Sequence, residues 1–336
     1  MQIKENYSLK SLNTFGVDAR AKFLYELDII EETQKVLKSE VFLNNKFLLL
    51  GGGSNILFTQ DFDGIVLKIN YKGKDIVKAD ENHVYIKAYA GETWDDFVNY
   101  CTFNNWGGLE NLTGIPGNVG TCPVQNIGAY GAEVKDTIIS VEVLRIEDGE
   151  LLTFTNEECK FGYRNSIFKN EAKNKYIITA VNFRLDKQPK LNTSYGAVNE
   201  ELEKMRLTPS VINISKAIAV IRNNKLPNPK VNGNAGSFFK NPVVTKEHLD
   251  ELLLKYPRIR YFPSDNEYKL AAGWLIEKCG MKGKEFGNAA VHHKQALVLI
   301  NKYNAKGKEI LGLANLIQQK IKESFGVELE IEVNIV

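Results

Sequence analysis

The stretch LLLGGGSNILF, Leu48 to Phe58, decides how the chain is to be read. An apolar run enters three glycines, Gly51, Gly52 and Gly53, then Ser54 and Asn55, and a second apolar run follows. A strand that ends in bare backbone presents N–H groups which no Cβ shields, and such a nest can take a phosphate. A plain strand-exit turn accounts for the same residues. The stretch is not GxGxxG, and no GxxxxGK occurs, so neither a doubly wound dinucleotide loop nor a P-loop is supported.

Outward from this turn the signals alternate. Residues 28–38, DIIEETQKVLK, have near-helical apolar spacing, and Phe47 to Leu50 reads as a strand. Strand signals follow at 64–69 and 84–90, and GETWDDFVNYCTFNN (91–105) reads as a helix. Residues 138–186 are mostly strand, rich in β-branched alternation. The segment 186–210 is polar and turn-rich, and the main boundary is placed at its end, near 212. A helix over about 211–224 then closes at KLPNP, whose prolines cannot continue it. Ile310, Leu313, Ala314, Ile317 and Ile321 share one helical face. In the tail VELEIEVNIV, strand alternation sets Val327, Leu329, Ile331, Val333 and Ile335 opposite Glu328, Glu330 and Glu332. A solvated glutamate face is the default reading of that pattern.

Composition narrows the class. The 43 basic and 41 acidic side chains leave +2, which argues against a nucleic-acid binder. Cys101, Cys122, Cys159 and Cys279 stand far apart without CxxC, so reduced thiols are expected rather than a zinc site or disulfide framework. The first ten residues hold no apolar run, so no signal peptide is expected, and no window reaches the ~20 apolar residues of a membrane span. His292 and His293 are adjacent; in a strand they would point apart, and no metal is assigned to them.

Three further stretches invite a chemical reading. NLTGIPGNVGTCPVQNIGAYG (111–131) carries Gly114, Gly117, Gly120, Gly128 and Gly131 among apolar residues. Irregular loops beyond about 12–15 residues in compact domains are usually functional or disordered, and the apolar content disfavours disorder. FGYRNSIF (161–168) offers an arginine suited to a two-pronged carboxylate contact, although a strand-edge ion pair is the plainer reading. NGNAGSFFKNP (232–242) sets Ser237 among glycines, asparagines and two phenylalanines.

Taken in order, NTFG (13–16), GGGSN (51–55), GLENLTGIPGNVG (108–120), QNIGAYG (125–131), FGYRNSIF (161–168), KLPNPKVNGNAGSFFKNP (225–242), KLAAGWLIE (269–277) and LEIEV (329–333) closely resemble the bacterial UDP-N-acetylenolpyruvoylglucosamine reductases. The resemblance spans nearly the whole chain. It implies an α+β protein with an FAD-binding fold of the vanillyl-alcohol oxidase (PCMH) type in two subdomains, 1–70 and 71–212. A smaller α+β substrate domain, 213–336, would follow. It implies a cytoplasmic flavoenzyme of peptidoglycan precursor synthesis, acting on a nucleotide sugar with NADPH as co-substrate. A monomer is expected, without nucleic acid, membrane or metal. NADPH would reduce FAD and leave; the enolpyruvyl sugar would then enter and be reduced.

By the same resemblance Ser237 donates the closing proton, while Arg164 and Glu332 stabilise the enolic intermediate. Gly51, Gly52, Gly53, Ser54, Asn55, Gly114, Ile115, Pro116, Gly117, Val119, Gly120 and Asn126 would hold FAD. Lys225, Asn241, Gln295, Tyr163, Tyr195 and Tyr130 would hold the substrate, Tyr195 on a loop that folds over it in one subtype of the family. Position alone suggests that Arg222 and Lys240 add positive field. Three departures fall beside matched residues. Asn165 stands where aspartate is common, and Thr121 and Cys122 where small residues are common. A different flavin oxidoreductase on the same fold is the alternative; oxidation by oxygen without NADPH would favour it. A colourless protein that binds the sugar without consuming NADPH would be a binding protein instead.

Overall fold

The strand Phe47–Leu50 forms as expected and ends at the glycine turn. In the computed structural model, which describes residues 3–264 and 266–336, it runs parallel to Phe62–Ile69, with Leu50 opposite Lys68. These two strands complete a four-stranded sheet, in the order Lys4–Ser8, Arg20–Leu27, Phe62–Ile69, Phe47–Leu50.

The chain divides into two compact units that take their segments alternately. The first comprises Met1–Tyr7, Ala21–Gly52 and Asp63–Asn224; the second comprises Ser8–Arg20, Gly53–Phe62 and Lys225–Val336. The glycine run is therefore split, Gly52 belonging to one unit and Gly53 to the other.

Besides the sheet just described, the first unit holds a five-stranded antiparallel sheet. Its order is Leu151–Thr155, Ile138–Arg145, Tyr176–Asp186, His83–Tyr89, Lys74–Ala79. The helix Trp94–Phe103 covers it through Trp94 and Phe97, which pack with Phe183 and are at most 1% exposed. Period-2 alternation along Tyr176–Asp186 gives way to near-continuous burial, because this is the central strand and both faces are covered.

The segment 186–210, read as turn-rich, contains a helix, Gly196–Met205. Only Val198 and Leu202 of its ten residues are buried, an i, i+4 pair too short to show as a periodic stripe among glutamates. Those two side chains pack on Ile214, Ala217, Ile218 and Ile221 of the helix Val211–Lys225. The boundary placed near 212 thus falls at the start of this helix, which clusters with the first unit as far as Asn224.

In the second unit the helix Gly307–Phe325 buries the predicted face, Ile310, Leu313, Ala314, Ile317 and Ile321. It packs on the small antiparallel sheet Glu285–Phe286, Ala289–Val291, Leu299–Asn301. A second such sheet joins Val243–Val244, Glu267–Leu270 and Tyr261–Ser264. The tail departs from the expected strand. Val327, Leu329 and Val333 are buried, but only Asn334–Ile335 forms a strand, parallel to Ile56–Leu57, and Ile335 is 39% exposed. His292 and His293 lie just beyond the strand Ala289–Val291, not within one. His292 is buried and His293 exposed, yet their rings come within 4.6 Å, closer than strand neighbours pointing apart would allow. Burial pushes the His292 pKa down, and His293 and Lys294 add to this.

Candidate active site

The glycine turn and the long glycine loop meet within the first unit. A Cβ on Gly51 would lie 2.4 Å from Thr121 Cγ2, and one on Gly52 would lie 2.6 Å from Asn118 Oδ1 and 2.8 Å from the Gly117 Cα. These glycines are therefore required by loop-on-loop packing, a different reason from the open approach of a ligand that the sequence suggests. Asn118 and Thr121 lock the far side: the Asn118 N–H donates to Thr121 Oγ1 at 3.3 Å, and Thr121 Oγ1 donates to the Asn118 carbonyl at 2.7 Å. Thr121 thus has a structural use, and Cys122 beside it is buried. Under the turn, the Lys68 ammonium donates to the Gly51 carbonyl. Bare backbone on one side and a cation beneath suit the bridging phosphates of a dinucleotide such as FAD.

The rest of the long loop is tied by side chains. Val119 and Gly120 donate their N–H groups to the carbonyls of Glu92 and Ala90 at 2.9 Å each. The Gly114 N–H donates to Asp95 Oδ1 at 2.6 Å, while Arg222 Nε donates to the Gly114 carbonyl at 3.1 Å. Ile115 is half-buried and Pro116 exposed. Asn126 is fully buried. Its amide donates to Glu133 Oε2 and to the Gly162 carbonyl, and its Oδ1 accepts from the Lys135 N–H. Its side chain acts as a clamp, which leaves only backbone for a ligand. At the loop entrance Glu110 is 3% exposed, its carboxylate accepting from the Gly108 N–H at 2.6 Å, and burial pushes its pKa up.

Tyr163 and Arg164 form the tip of a tight turn closed by reciprocal Gly162–Asn165 hydrogen bonds of 3.1 Å. Arg164 sits in the left-handed region at φ +53°, a costly conformation for a side-chain-bearing residue. Its Nη2 donates to the Gly128 carbonyl at 2.8 Å, and its guanidinium lies 5.5 Å from the Tyr163 ring centre. Asn165, the departure in this motif, accepts from Asn170 Nδ2 at 2.7 Å. Tyr130, also left-handed at φ +49°, meets Tyr195 edge-on at 5.3 Å. Its hydroxyl pairs with the half-buried Arg222. Burial raises the Tyr130 pKa and lowers that of Arg222. The first unit so brings together Tyr130, Tyr195 and Arg222, and separately Tyr163, Arg164 and Gly128.

The second unit gathers the other set. Ser237 is exposed and bridges antiparallel to Val298, while Phe239 bridges to Ile331. The Glu332 N–H donates to the Phe238 carbonyl at 2.9 Å, which fixes the Glu332 backbone one residue from Ser237. Phe238 and Phe239 are at most 1% exposed, 5.3 Å apart, and form the apolar floor beneath the serine. Gly236, at φ +71° with open space around it, supplies the bend into Ser237. Asn55 Nδ2 donates to the Glu332 carbonyl at 3.3 Å, so GGGSN and the terminal LEIEV meet here. Lys240 pairs with Glu330, not Glu332. Asn241 Oδ1 accepts from the Ala272 N–H at 3.0 Å, and Gln295 Oε1 lies 3.3 Å from where a Gly273 Cβ would stand, so both flank the start of the helix Ala272–Lys278. Lys225, at the end of its helix, is exposed.

A hub that the sequence reading leaves without a role organises this unit. Thr14 Oγ1 donates to the Asn234 carbonyl at 2.6 Å, the Thr14 N–H donates to the Gly53 carbonyl at 3.0 Å, and Asn301 Nδ2 donates to the Phe15 carbonyl at 2.9 Å. NTFG is thus the piece that joins the end of the glycine turn to the serine loop. Its presence among the ordered motifs was the only signal available. Among the described residues no group of three or more metal-ligating side chains forms a metal site, and no helix is long and apolar enough to cross a membrane.

Comparison with known proteins covers most of the chain. An FAD binding domain family matches residues 22–155, and the UDP-N-acetylenolpyruvoylglucosamine reductase C-terminal domain matches 228–336. The UDP-N-acetylenolpyruvoylglucosamine reductase of Flavobacterium johnsoniae is 50% identical over 100% of both chains. That of Chromobacterium violaceum is 45% identical over 99% of this chain and 98% of its own. The crystal structure of the Thermus caldophilus reductase superposes with a TM-score of 0.69 at 23% identity, covering 99% of this chain and 98% of that one, and shows the shared fold. On end-to-end likeness to such relatives, the chain belongs to the family of UDP-N-acetylenolpyruvoylglucosamine reductases, FAD-dependent oxidoreductases.

Proposed function

We propose that the chain reduces UDP-N-acetylglucosamine enolpyruvate to UDP-N-acetylmuramate with NADPH, through bound FAD, as a cytoplasmic step in peptidoglycan precursor synthesis. The observation that carries the reading is that the Glu332 N–H bonds the carbonyl of Phe238, the residue after Ser237, over a buried phenylalanine floor. The chemistry that bound FAD supplies is hydride relay from NADPH to the terminal methylene carbon of the enol ether.

Addition of hydride there leaves negative charge at the carbon beside the substrate carboxylate. Ser237 gives its hydroxyl proton to that carbon, completing the lactyl ether. A free serine hydroxyl is a weak acid, so its placement and surroundings must do most of the work. Arg164 answers the charge growing on the carboxylate; a fixed cation counts most where water is excluded. Its strained backbone and its hold on the Gly128 carbonyl keep the guanidinium aimed at little further cost on binding. Glu332 takes part as a proton-sharing partner, since a bare carboxylate would repel the developing charge.

FAD is held by the turn Gly51, Gly52, Gly53, Ser54, Asn55 and by the loop Gly114, Ile115, Pro116, Gly117, Val119, Gly120, with Asn126 contributing through its backbone. Lys225 meets the diphosphate of the substrate, Asn241 and Gln295 hold its polar groups, and Tyr163, Tyr130 and Tyr195 pack on it. Residues 1–70 and 71–212 serve as the two flavin-holding subdomains, and 213–336 as the substrate domain.

Purified protein should be yellow, should bleach with NADPH, and should recover its colour with the enolpyruvyl sugar. Recovery by oxygen alone, with the sugar inert, would instead mark a different flavin oxidoreductase. Ser237→Ala should bleach at the wild-type rate but recover ~10²–10⁴-fold more slowly. Stopped-flow absorbance separates the halves, and a defect confined to bleaching would contradict the assignment.

A further inference from the structure

We infer that Lys68 is the positioning residue of the glycine turn: it holds the Gly51 carbonyl on one side, so that the Gly52 N–H faces the other, toward a diphosphate. The inference deepens the FAD reading and rests on it.

The placement follows from the strand. Ile65, Leu67 and Ile69 belong to the buried core, so alternation turns Lys68 to the opposite face. Lys68 pairs in register with Leu50, the residue before Gly51, and its ammonium reaches the Gly51 carbonyl. A trans peptide is planar, with C=O and N–H pointing opposite ways. Fixing the Gly51 oxygen therefore fixes the direction of the Gly52 N–H, to which no described residue offers a hydrogen-bond acceptor. The turn cannot evade this by tilting. Thr121 stands against Gly51, and Asn118 and Gly117 against Gly52, on the side where a Cβ would project.

The cation itself lacks a counter-charge. Among the described residues no carboxylate lies within ion-pair distance of Lys68; the nearest acidic influence, Glu26, is bonded to Lys4 at 2.5 Å. Burial and the nearby Lys72 push the Lys68 pKa down. Lys72 is itself anchored on the Gly91 carbonyl, which also accepts from Asn118 Nδ2 at 2.7 Å. A half-buried, uncompensated ammonium group behind a peptide whose N–H points outward favours an anion on that outer side and gains from its arrival. Phosphate-bearing flavin meets that requirement, and flavin without phosphate does not.

The test uses the full chain stripped of flavin and titrated with FAD and with riboflavin, read by flavin fluorescence at low and high salt. Lys68→Met should weaken FAD by about ten- to a hundred-fold, the range a hydrogen bond to a charged group is worth. It should leave riboflavin unchanged and flatten the salt dependence of FAD binding. Lys68→Arg, which keeps charge and donors, should restore most of the affinity and guards against a folding defect in the methionine variant. Equal loss of FAD and riboflavin, or no loss of either, would overturn the proposal. Wild-type protein that takes up no flavin at all would overturn the cofactor reading, and this inference with it.

Discussion

Gly52 and Gly53 are neighbours and are glycines for different reasons. Gly52 has no room beside the Gly117 backbone, whereas Gly53 combines a left-handed φ of +64° with a Cβ position 1.9 Å from the Leu12 carbonyl oxygen. Gly16 has the same φ of +64° but nothing within 4 Å. The pair separates conformational strain from collision. Gly16→Ala should cost about 1–2 kcal/mol, the penalty of the left-handed region alone. Gly53→Ala should cost much more, because backbone must move, and thermal unfolding of the two variants measures the difference. The sequence showed that glycine was needed at 51–53 but not why: the residues that fill the Cβ positions come from 12, 117, 118 and 121. Asn126 shows the same limit. Its place in QNIGAYG marks it out, but only the folded chain shows its amide fully engaged by Glu133, Gly162 and Lys135.

Elements with a long apolar stripe were legible, as in Gly307–Phe325, and so were strands with clear alternation, as in His83–Tyr89. The helix Gly196–Met205 was not, since two buried side chains do not make a period. The tail misled for the opposite reason: its alternation is real, but pairing with Ile56–Leu57 begins only at Asn334. One helix carries more than its packing face suggests. Val211–Lys225 ends in a turn whose Arg222 holds the Gly114 carbonyl and the Tyr130 hydroxyl, tying the helix to the glycine loop and, through Tyr130, to Tyr195. Its expected role as a source of positive field is joined by this structural one. Arg222→Leu should leave the Gly114 carbonyl without this donor and destabilise the protein by about 1–3 kcal/mol. Chemical denaturation reads that loss, and an unchanged midpoint would remove Arg222 from the framework.

At the scale of the molecule, the four thiols differ in exposure. Cys101, Cys122 and Cys159 are buried, and burial pushes each pKa up, that of Cys159 to about 12. Cys279 is partly exposed, its Sγ within 3.8 Å of the Lys320 carbonyl. Native protein should therefore react with a thiol reagent first at Cys279, and at the other three only once denatured. Mass spectrometry of briefly labelled protein should show a single adduct. Early labelling of Cys101 would point to opening of the helix Trp94–Phe103.

The alternating allotment of segments bears on how the chain is made. Ser8–Arg20 and Gly53–Phe62 leave the ribosome early, yet their partners lie beyond residue 225: Asn234 for Thr14, Asn334–Ile335 for Ile56–Leu57. These two stretches can bond to each other, as Thr14 does to Gly53, but they must wait for their remaining partners until residues beyond 225 have been made, with the apolar ILF of 56–58 among them. A gene cut near residue 225 should accordingly yield a carboxy-terminal fragment that cannot complete its own fold, and a nascent chain stalled there should be a preferred client of chaperones.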